Sequence, residues 1–263
     1  MPASSTLIVT ADDFGLTSAV NRGIAASFSD GLVTHASLMV NMPATEEACD
    51  LARAARLGDR IGCHLNLAEG APLTDAIRRS RTFCKDGCFN EPLSRSRFIP
   101  LGADDRRALA VETRAQIAAV RRAGFAGTYL DSHRYVHTMP NVASVVVGVA
   151  REMGVVRVRP YQNCGPTATG AAMIGKRLFN VWLGWRGVRG VDYFGGIDDF
   201  EWQARRGLRD VGSAEVMTHP VLDARSGIVV DGSAGPLRER LLALAPLVGR
   251  SLVASITPLR YDK

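Results

Sequence analysis

The chain has 263 residues, of which 46% are hydrophobic and 22% are charged, and it carries a formal net charge of +6. This composition is typical of a globular domain and excludes a disordered chain. The positive charge comes mainly from arginines in helix-like segments without interleaved aromatic residues, which argues against nucleic-acid binding. No uncharged apolar stretch reaches about 18 residues, so we expect no integral membrane association.

The first residues and the cysteines indicate the compartment. The N-terminal stretch lacks the basic and long apolar regions of a signal peptide. The cysteines are Cys49, Cys63, Cys84, Cys88 and Cys164. Their odd number and irregular spacing favour reduced thiols, so we expect a cytoplasmic protein. The CxxxC spacing of Cys84 and Cys88 alone is weak evidence for a zinc site.

Short β-branched runs alternate with helical patterns along the chain, which is typical of parallel βαβ units. The predicted strands are 7–11, 35–41, 61–67, 128–133, 155–160, 214–219 and 252–256, with a weaker candidate at 191–194. The predicted helices are 18–30, one that begins at Thr45, 104–123, 141–153, 170–185 and 236–248. Seven or eight such repeats predict an α/β fold, a (β/α) TIM-like barrel in one domain over residues 1–263, with allowance for distortion. A doubly wound open sheet is the less favoured alternative, because no Gly-rich phosphate loop follows the first strand.

Residues 70–100 interrupt this alternation, and we predict a long insertion there, after the third strand. The segment contains three prolines, and its CKDGCF stretch (84–89) predicts a tight hairpin. Such an insertion is either a substrate-facing loop or an excursion without function, and the sequence favours neither.

Polar side chains lie at the carboxyl ends of several predicted strands. They are Asp12, Asp13, His64, Asn66, Asp131, His133, His137 and His219. Because the carboxyl ends of parallel strands meet at one rim of a barrel, we expect these side chains to lie close together. Each has a structural interpretation on its own, such as a helix cap or a hydrogen-bonded histidine. Their coincidence at one rim favours a functional site.

The chemistry of this set predicts a hydrolase. An aspartate with two histidines leaves positions on a metal ion for water and substrate, which is typical of catalytic sites. One of two adjacent carboxylates can bind the metal while its neighbour stays free, because successive side chains diverge. The free carboxylate can take a proton from water, and a histidine from another strand can protonate the leaving group. The expected reaction is metal-assisted hydrolysis, most simply of an amide or ester.

Five motifs, TADDFG, GCHLNL, LDSHRYVH, VRVRP and MTHP, follow one another along the chain. In sequence, order and rough spacing they resemble the YdjC-like (ChbG/HpnK) carbohydrate deacetylases, and TADDFG and DSHxxxH carry most of the resemblance. It covers nearly the whole chain. The resemblance implies a (β/α) barrel enzyme, usually dimeric, that uses one divalent metal ion, magnesium or zinc, to remove acetyl groups from N-acetylated sugars.

The resemblance also implies a role for each motif residue. The metal ligands would be Asp13, His64 and His133. The catalytic base would be Asp12, and the general acid toward the leaving amine would be His219.

The predicted substrate contacts are Arg157, His137 and Asn66. The resemblance implies that an arginine of the VRVRP strand steadies the base or the substrate. Arg157 and Arg159 share one face of that strand, and Arg157 is our prediction. Tyr135 stands where the family block often has a middle histidine, so His137 is assigned to orienting a ligand or touching the sugar. Asn66 lies on the same face as His64.

We therefore predict a metal-dependent deacetylase that acts on an N-acetylated carbohydrate, either a chitooligosaccharide-like sugar or a glycolipid. A metal-dependent hydrolase of a phosphoester or a cyclic amide is one alternative. A non-catalytic sugar- or lipid-binding protein on the same scaffold is another. The apolar segment 171–185 is compatible with a lipid-linked substrate and equally with core packing. The expected partners are the sugar or glycolipid and a second copy of the chain in a homodimer.

Overall fold

The structure, a computed structural model, describes residues 6–90, 100–166, 171–206, 212–232 and 234–248. The strands are β1 Thr6–Phe14, β2 His35–Leu38, β3 Ile61–Leu65, β4 Cys84–Lys85, β5 Cys88–Phe89, β6 Tyr129–Ser132, β7 Arg157–Val158, β8 Tyr193–Gly196, β9 Ser213–Thr218, β10 Pro220–Leu222 and β11 Val229–Asp231. The helices are α1 Ser18–Ser29, α2 Thr45–Ala54, α3 Asp75–Arg78, α4 Ala103–Arg122, α5 Pro140–Glu152, α6 Ala171–Trp185, α7 Ile197–Ala204 and α8 Leu237–Val248, with a 3₁₀ segment at His133–Thr138.

Seven strands form one parallel sheet in the order β7-β6-β3-β2-β1-β9-β8. Arg159, just after β7, donates a hydrogen bond of 2.9 Å to Glu215 of β9. These strands are five positions apart, or about 24 Å in a flat sheet, so their contact requires the sheet to curl. The prediction of an α/β fold with a curled parallel sheet, as in a distorted barrel, is confirmed. The predicted strand at 252–256 lies outside the described residues.

The two edges of the curled sheet approach each other through residues that flank the edge strands. Arg189, which precedes β8, donates to the carbonyl oxygen of Val156 and accepts from the N–H of Val158, both at 3.0 Å. Further along, the N–H of Asn163 donates to the carbonyl oxygen of Phe194 at 3.2 Å. The sheet is therefore a curled half-barrel whose edges are joined by irregular backbone.

Several predicted strands are shorter than their apolar runs. The run 155–160 contains only β7, although Arg159 still donates its backbone N–H to the carbonyl oxygen of Leu130. Pro160 follows and has no N–H with which to continue the ladder. The weaker candidate at 191–194 corresponds to β8.

The predicted helices are present within one or two residues of their predicted ends. α4 has Asp104 and Asp105 in its first turn and Arg121 and Arg122 in its last, which complements the helix dipole. α6 buries Met173 and Leu183, so part of its apolar surface belongs to the core. It also exposes apolar side chains, which are Ile174, Leu178, Val181 and Trp185. Within the described residues, no helix combines the length and the hydropathy that crossing a membrane requires.

The segment after β3 is described up to residue 90 and packs against α4. The predicted hairpin is confirmed, since β4 and β5 pair in antiparallel fashion across Asp86 and Gly87, whose φ angles are 51° and 82°. Positive φ at both central residues is typical of a type I′ turn. Buried Glu112 of α4 accepts from the backbone N–H groups of Leu73 and Thr74 at 3.0 and 2.9 Å. The residues that precede the hairpin are thus anchored to the helix. That residues 70–100 are an insertion stays a prediction.

Two kinds of interior share this fold. Apolar side chains of the strands and of the inward helix faces form one cluster between the sheet and the helices. A second set of buried side chains is polar and comes from six strands of the sheet or the residue just past them: Thr10, Asp12, Ser37, His64, Asp131, Arg159 and Glu215. Burying charged groups is costly unless they pair with one another, so this set requires a specific arrangement.

Candidate metal and catalytic site

An irregularity at the end of β1 brings two adjacent aspartates into one site. Between two pairs of the β1–β2 register, β1 has Asp12 and Asp13 where β2 has only Ser37. This is a β-bulge, which redirects a side chain at the cost of one unpaired residue. Asp13 has a φ of 67°, in the left-handed region that aspartate tolerates better than most residues. Successive residues of a regular strand point to opposite faces, whereas here both carboxylates reach the same cluster of polar side chains.

The chain then turns away from the strand at Gly15. Its φ is 99°, and a Cβ placed there would lie 2.6 Å from the carbonyl oxygen of Met39. Its N–H donates to the side chain of Asn21 in α1 at 2.7 Å. The glycine of TADDFG therefore permits the tight turn that follows the two aspartates.

Asp13, His64 and His133 form the first group of possible metal ligands. Oδ1 of Asp13 lies 3.1 Å from Nε2 of His64 and 2.7 Å from Nδ1 of His133. One ligand atom from each residue lies within 4.8 Å of the others. Nε2 of His133 lies 2.8 Å from Oε1 of Glu69, yet this buried nitrogen makes no hydrogen bond within the described residues. Two imidazoles and one carboxylate are ligands that suit a divalent metal ion. The Nε2 atom of His133, which has no hydrogen-bond partner within the described residues, is consistent with such a site.

Asp131 fixes the orientation of His64. Its Oδ1 lies 2.7 Å from Nδ1 of the imidazole, and Oγ of Ser37 lies 3.1 Å from the same nitrogen. A carboxylate behind the imidazole leaves Nε2 directed toward Asp13, the arrangement that commonly accompanies metal-binding histidines. Burial alone would lower the pKa of His64, but Asp131 and Asp13 raise it to about 10. The surroundings therefore favour positive charge at this point.

Asp13 is held in its ionised form. Burial would raise the pKa of this carboxyl, but hydrogen bonds to His133 and His64 hold it far below its ordinary value. A permanently ionised carboxylate between two imidazoles is a suitable ligand for a cation.

Asp12 is hydrogen-bonded to an arginine and to neither histidine, although its carboxylate also belongs to a second group, with His64 and Asp131, whose ligand atoms lie within 4.8 Å of one another. Nη1 of Arg159 donates to Oδ2 of Asp12 at 2.6 Å, and Nη2 donates to Oδ1 at 2.8 Å. Both side chains are buried, at 1% and 3% exposure. Burial raises the pKa of Asp12 above its ordinary value, although Arg159 opposes the shift. A raised pKa makes a carboxylate a better proton acceptor.

Arg159 also ties together two further carboxylates. Its guanidinium lies 2.7 Å from Oδ2 of Asp131 and 2.8 Å from Oε1 of Glu215. The hydroxyl of Tyr129 lies 3.0 Å from Asp131 and 2.6 Å from Glu215. Because Asp131 also holds His64, one connected network positions both Asp12 and a predicted metal ligand.

His219 lies at the same rim, directly after β9. The β1–β9 register pairs Ala11 with Thr218, so Asp12 and His219 are the next residues on the two strands. The backbone of His219 is held by β11, since its N–H donates to Oδ1 of Asp231 at 2.8 Å. Within the described residues, its imidazole makes no hydrogen bond or ion pair with Asp12 or the three possible metal ligands.

Arg157 and His137 lie away from the predicted ligands. The guanidinium of Arg157 stacks on the ring of Tyr129, 4.2 Å from its centre, at the amino-terminal end of the strands. His137 is buried, with Nδ1 2.5 Å from Oγ of Ser132 and Nε2 3.0 Å from the carbonyl oxygen of Arg159. Burial lowers the pKa of His137 to about 4, so the imidazole is neutral and donates to that carbonyl. The structure thus places Arg159, and not Arg157, beside the predicted base.

Asn66 and Tyr135 also have contacts of their own. Oδ1 of Asn66 accepts from the N–H groups of Ala68 and Glu69 at 3.0 and 3.2 Å, so this side chain shapes the loop that carries Glu69. The hydroxyl of Tyr135 donates to the sulfur of Met217 at 3.1 Å. Tyr135 therefore packs beside β9 where the resemblance expected a histidine.

Sequence reasoning missed Glu69 and Glu215 and gave Asp131 no role. A usable signal existed for two of them. Glu215 interrupts an apolar run four residues before His219, an even spacing that strand alternation places on one face. Asp131 stands two residues before His133, again an even spacing. Glu69 is in a loop, where no periodicity indicates direction.

The chain is similar to known proteins over most of its length. The model of the YdjC-like protein family matches residues 6–242. A carbohydrate deacetylase of Geobacillus stearothermophilus is 34% identical over 256 residues, which cover 95% of this chain and 91% of the relative. Those of Danio rerio and Homo sapiens are 32% and 36% identical over 154 and 151 residues, or 58% and 57% of this chain. Against these two, the chain spans only 49% and 46% of the relative's length.

One solved structure shows the same fold. It is a protein of Enterococcus faecalis V583 to which cellobiose-phosphate cleavage is provisionally ascribed, with a TM-score of 0.68 and 21% identity. The match covers 96% of this chain and 94% of that one. At this identity the likeness supports the fold alone. The family match over residues 6–242 and the full-length relative lead to one conclusion: the chain belongs to the YdjC-like family.

Proposed function

We propose that this protein is a metal-dependent hydrolase that removes the acetyl group from an N-acetylated carbohydrate. One observation carries the proposal: Asp13, His64 and His133 converge, while the carboxylate of the adjacent Asp12 is paired with Arg159. A hydrolase of this kind needs ligands for an ion and a separate base for water. The relatives named carbohydrate deacetylases support the substrate class.

Asp13, His64 and His133 would hold one divalent ion. When bound, such an ion polarises the amide carbonyl and lowers the pKa of water. The set of two imidazoles and one carboxylate suits zinc better than magnesium, which prefers oxygen ligands. Asp131 would maintain the tautomer and direction of His64.

Asp12 would accept the proton of the attacking water. Its Oδ1 already accepts hydrogen bonds from Arg159 and Ser37, whereas Oδ2 accepts only one within the described residues, from Arg159. Each carboxylate oxygen can accept two hydrogen bonds, so Oδ2 retains a position for water. The paired contact with Arg159 fixes the direction of that position.

His219 would protonate the leaving amine. The β1–β9 register brings it to the rim beside Asp12, and its half-buried side chain borders the same end of the sheet. Because this backbone hydrogen bond fixes His219, only a change of side-chain rotamer would bring its imidazole toward the leaving amine.

The remaining parts of the proposal concern setting and substrate. They are a single-domain enzyme that acts as a homodimer in the cytoplasm, with residues 70–100 as an insertion after the third strand. Whether the sugar is free or lipid-linked is decided by the substrate that is turned over. Light scattering of the purified chain tests the dimer.

Acetate release tests the function. The purified protein is treated with a chelator, reloaded with zinc or magnesium, and given N-acetylated sugars of increasing length and an N-acetylated glycolipid. We expect acetate release only with metal, and loss of that release in Asp12→Asn. A phosphoester and a cyclic amide serve as competing substrates. Hydrolysis of either one without acetate release from any sugar would contradict the proposal.

A further inference from the structure

A cavity of about 360 Å³ opens at the amino-terminal end of the sheet, opposite the site described above. Its walls include the first residues of five strands: His35, Ile61, Tyr129, Arg157 and Ser213. Asp12, Asp13 and His219 lie at the carboxyl ends of their strands, so the two sites are on opposite ends of the curled sheet. A volume of this size accommodates a small metabolite.

The cavity is lined by an excess of positive charge. Arg60, Arg157 and Arg189 face it, with Asp59 as the single acidic residue of the lining. Three positive charges against one negative leave a net charge of +2. In the described part of the chain, the guanidinium groups of these three arginines make no hydrogen bond or ion pair. In contrast, Arg53, Arg78, Arg114 and Arg205 each pair with a carboxylate at the protein surface.

Arg157 is held in place without using its hydrogen-bond donors. Its guanidinium stacks on one face of Tyr129, 4.2 Å from the ring centre. The ring is itself fixed, because its hydroxyl lies within hydrogen-bond distance of Asp131 and Glu215. Stacking occupies the flat face of a guanidinium and leaves its N–H groups in the plane free for a ligand.

The lowered pKa of His35 reflects its burial and the positive charge beside the cavity. Burial and then the positive charge of Arg157 lower the pKa of this imidazole to about 4. The histidine is therefore neutral near pH 7 and adds no charge of its own. Thr128, which is also polar and uncharged, lines the same cavity. The cavity thus combines cationic donors with a neutral polar wall.

We propose that this cavity binds a phosphate group, either as inorganic phosphate or as the phosphomonoester of a small metabolite. Arginine binds phosphate oxygens through paired, charge-assisted hydrogen bonds, for which donors without partners are required. The volume exceeds what one phosphate group fills, so a sugar-sized remainder also fits. This inference is independent of the proposed deacetylase activity.

Calorimetric titration of the whole protein tests the proposal, with inorganic phosphate, glucose 6-phosphate and glucose as probes at constant ionic strength. We expect phosphate and glucose 6-phosphate to bind and glucose not to bind. Equal affinities would identify the free phosphate group as the ligand, and tighter binding of glucose 6-phosphate would identify a phosphomonoester. Failure of both to bind at up to about 10 mM would overturn the proposal.

Matched variants locate the binding. Arg60→Gln and Arg157→Gln should each weaken phosphate about tenfold or more, because each removes a charge-assisted hydrogen bond. Arg107→Gln removes the same charge from the start of α4, where Arg107 pairs with Asp104, and should leave the affinity within about twofold. Equal weakening in all three variants, or none in the first two, would place phosphate elsewhere and overturn the proposal. If Arg157→Gln does not fold, Arg189→Gln replaces it.

Discussion

The two ends of the curled sheet use arginine in opposite ways. Arg159 is 1% exposed and contacts Asp12, Asp131 and Glu215. Arg157, two residues earlier and on the same face, stacks on Tyr129 and makes no ion pair within the described residues. Both residues are arginines and lie two positions apart, at the start of β7 and just past its end, so the difference comes from the carboxylates that the fold brings to each end. Paired charge fixes the side chains around Asp12, and unpaired charge remains available to a ligand.

The largest expected effect is that of Arg159→Gln on stability. The variant would leave three buried carboxylates without their shared cation, which typically costs about 3–5 kcal/mol. Urea denaturation at pH 7 measures the free energy of unfolding. A loss below about 1 kcal/mol would show that the network does not depend on Arg159.

The next effect is that of Asp12→Asn on turnover. Removing a general base lowers the rate by about 10²-fold or more. Asparagine keeps the size of the side chain and one acceptor for Arg159, so the fold should survive. Ser37→Ala is the matched control in acetate-release kinetics, because it removes a hydroxyl that contacts Asp12 and His64 and leaves the carboxylate of Asp12 in place. Wild-type turnover in Asp12→Asn would exclude the role.

The sequence was sufficient to predict which residues lie at the carboxyl-terminal rim of the sheet, but not which of their side chains contact one another. The strand-end positions of Asp12, Asp13, His64 and His133 were sufficient to bring these residues together, because parallel strands share one rim. The contact of Asp131 with His64 depends on the β3–β6 register, which pairs these two residues directly. A sequence pattern does not contain that register.

For a related reason, the sequence does not show which of Arg157 and Arg159 lies beside Asp12. Alternation places both arginines on one face of β7 and cannot tell which lies nearer the rim. The β6–β7 register decides, since Arg157 pairs with Tyr129 at the start of β6. The sequence likewise did not predict the bulge at Asp12 and Asp13, because one extra residue does not change the hydrophobic pattern of so short a strand detectably.

A smaller effect is expected on the pH dependence of stability, from His137, whose imidazole donates to the carbonyl oxygen of Arg159. Burial lowers the folded-state pKa of His137 to about 4, below the unfolded value of about 6.5. The unfolded chain therefore takes up the proton first as the pH falls. The stability from neutral His137 is complete above about pH 6.5 and is lost progressively toward pH 4, by about 2 kcal/mol at pH 5.

Denaturation at pH 7.5 and at pH 5 measures this term in the wild type and in His137→Gln. The drop between the two pH values should be about 2 kcal/mol smaller in the variant. His35, whose pKa is also lowered to about 4, remains in both proteins and cancels. An unchanged drop would mean that His137 is not neutral in the folded state.

The smallest effect is that of Arg157→Gln on stability. The variant loses a stacking contact with Tyr129 but leaves no buried charge unpaired, so we expect a cost of about 1 kcal/mol or less. Urea denaturation of Arg157→Gln and Arg159→Gln under the same conditions compares their losses in the free energy of unfolding. Equal losses in the two variants would remove the distinction between the two ends.

The most direct test counts the metal bound by two neighbouring variants. Asp12→Asn and Asp13→Asn change adjacent residues in the same way, and elemental analysis after dialysis against zinc gives the ions bound per chain. We predict that Asp12→Asn retains the wild-type metal content without turnover, and that Asp13→Asn loses both. Full metal content in Asp13→Asn together with loss of metal in Asp12→Asn would contradict the division of roles between the two aspartates.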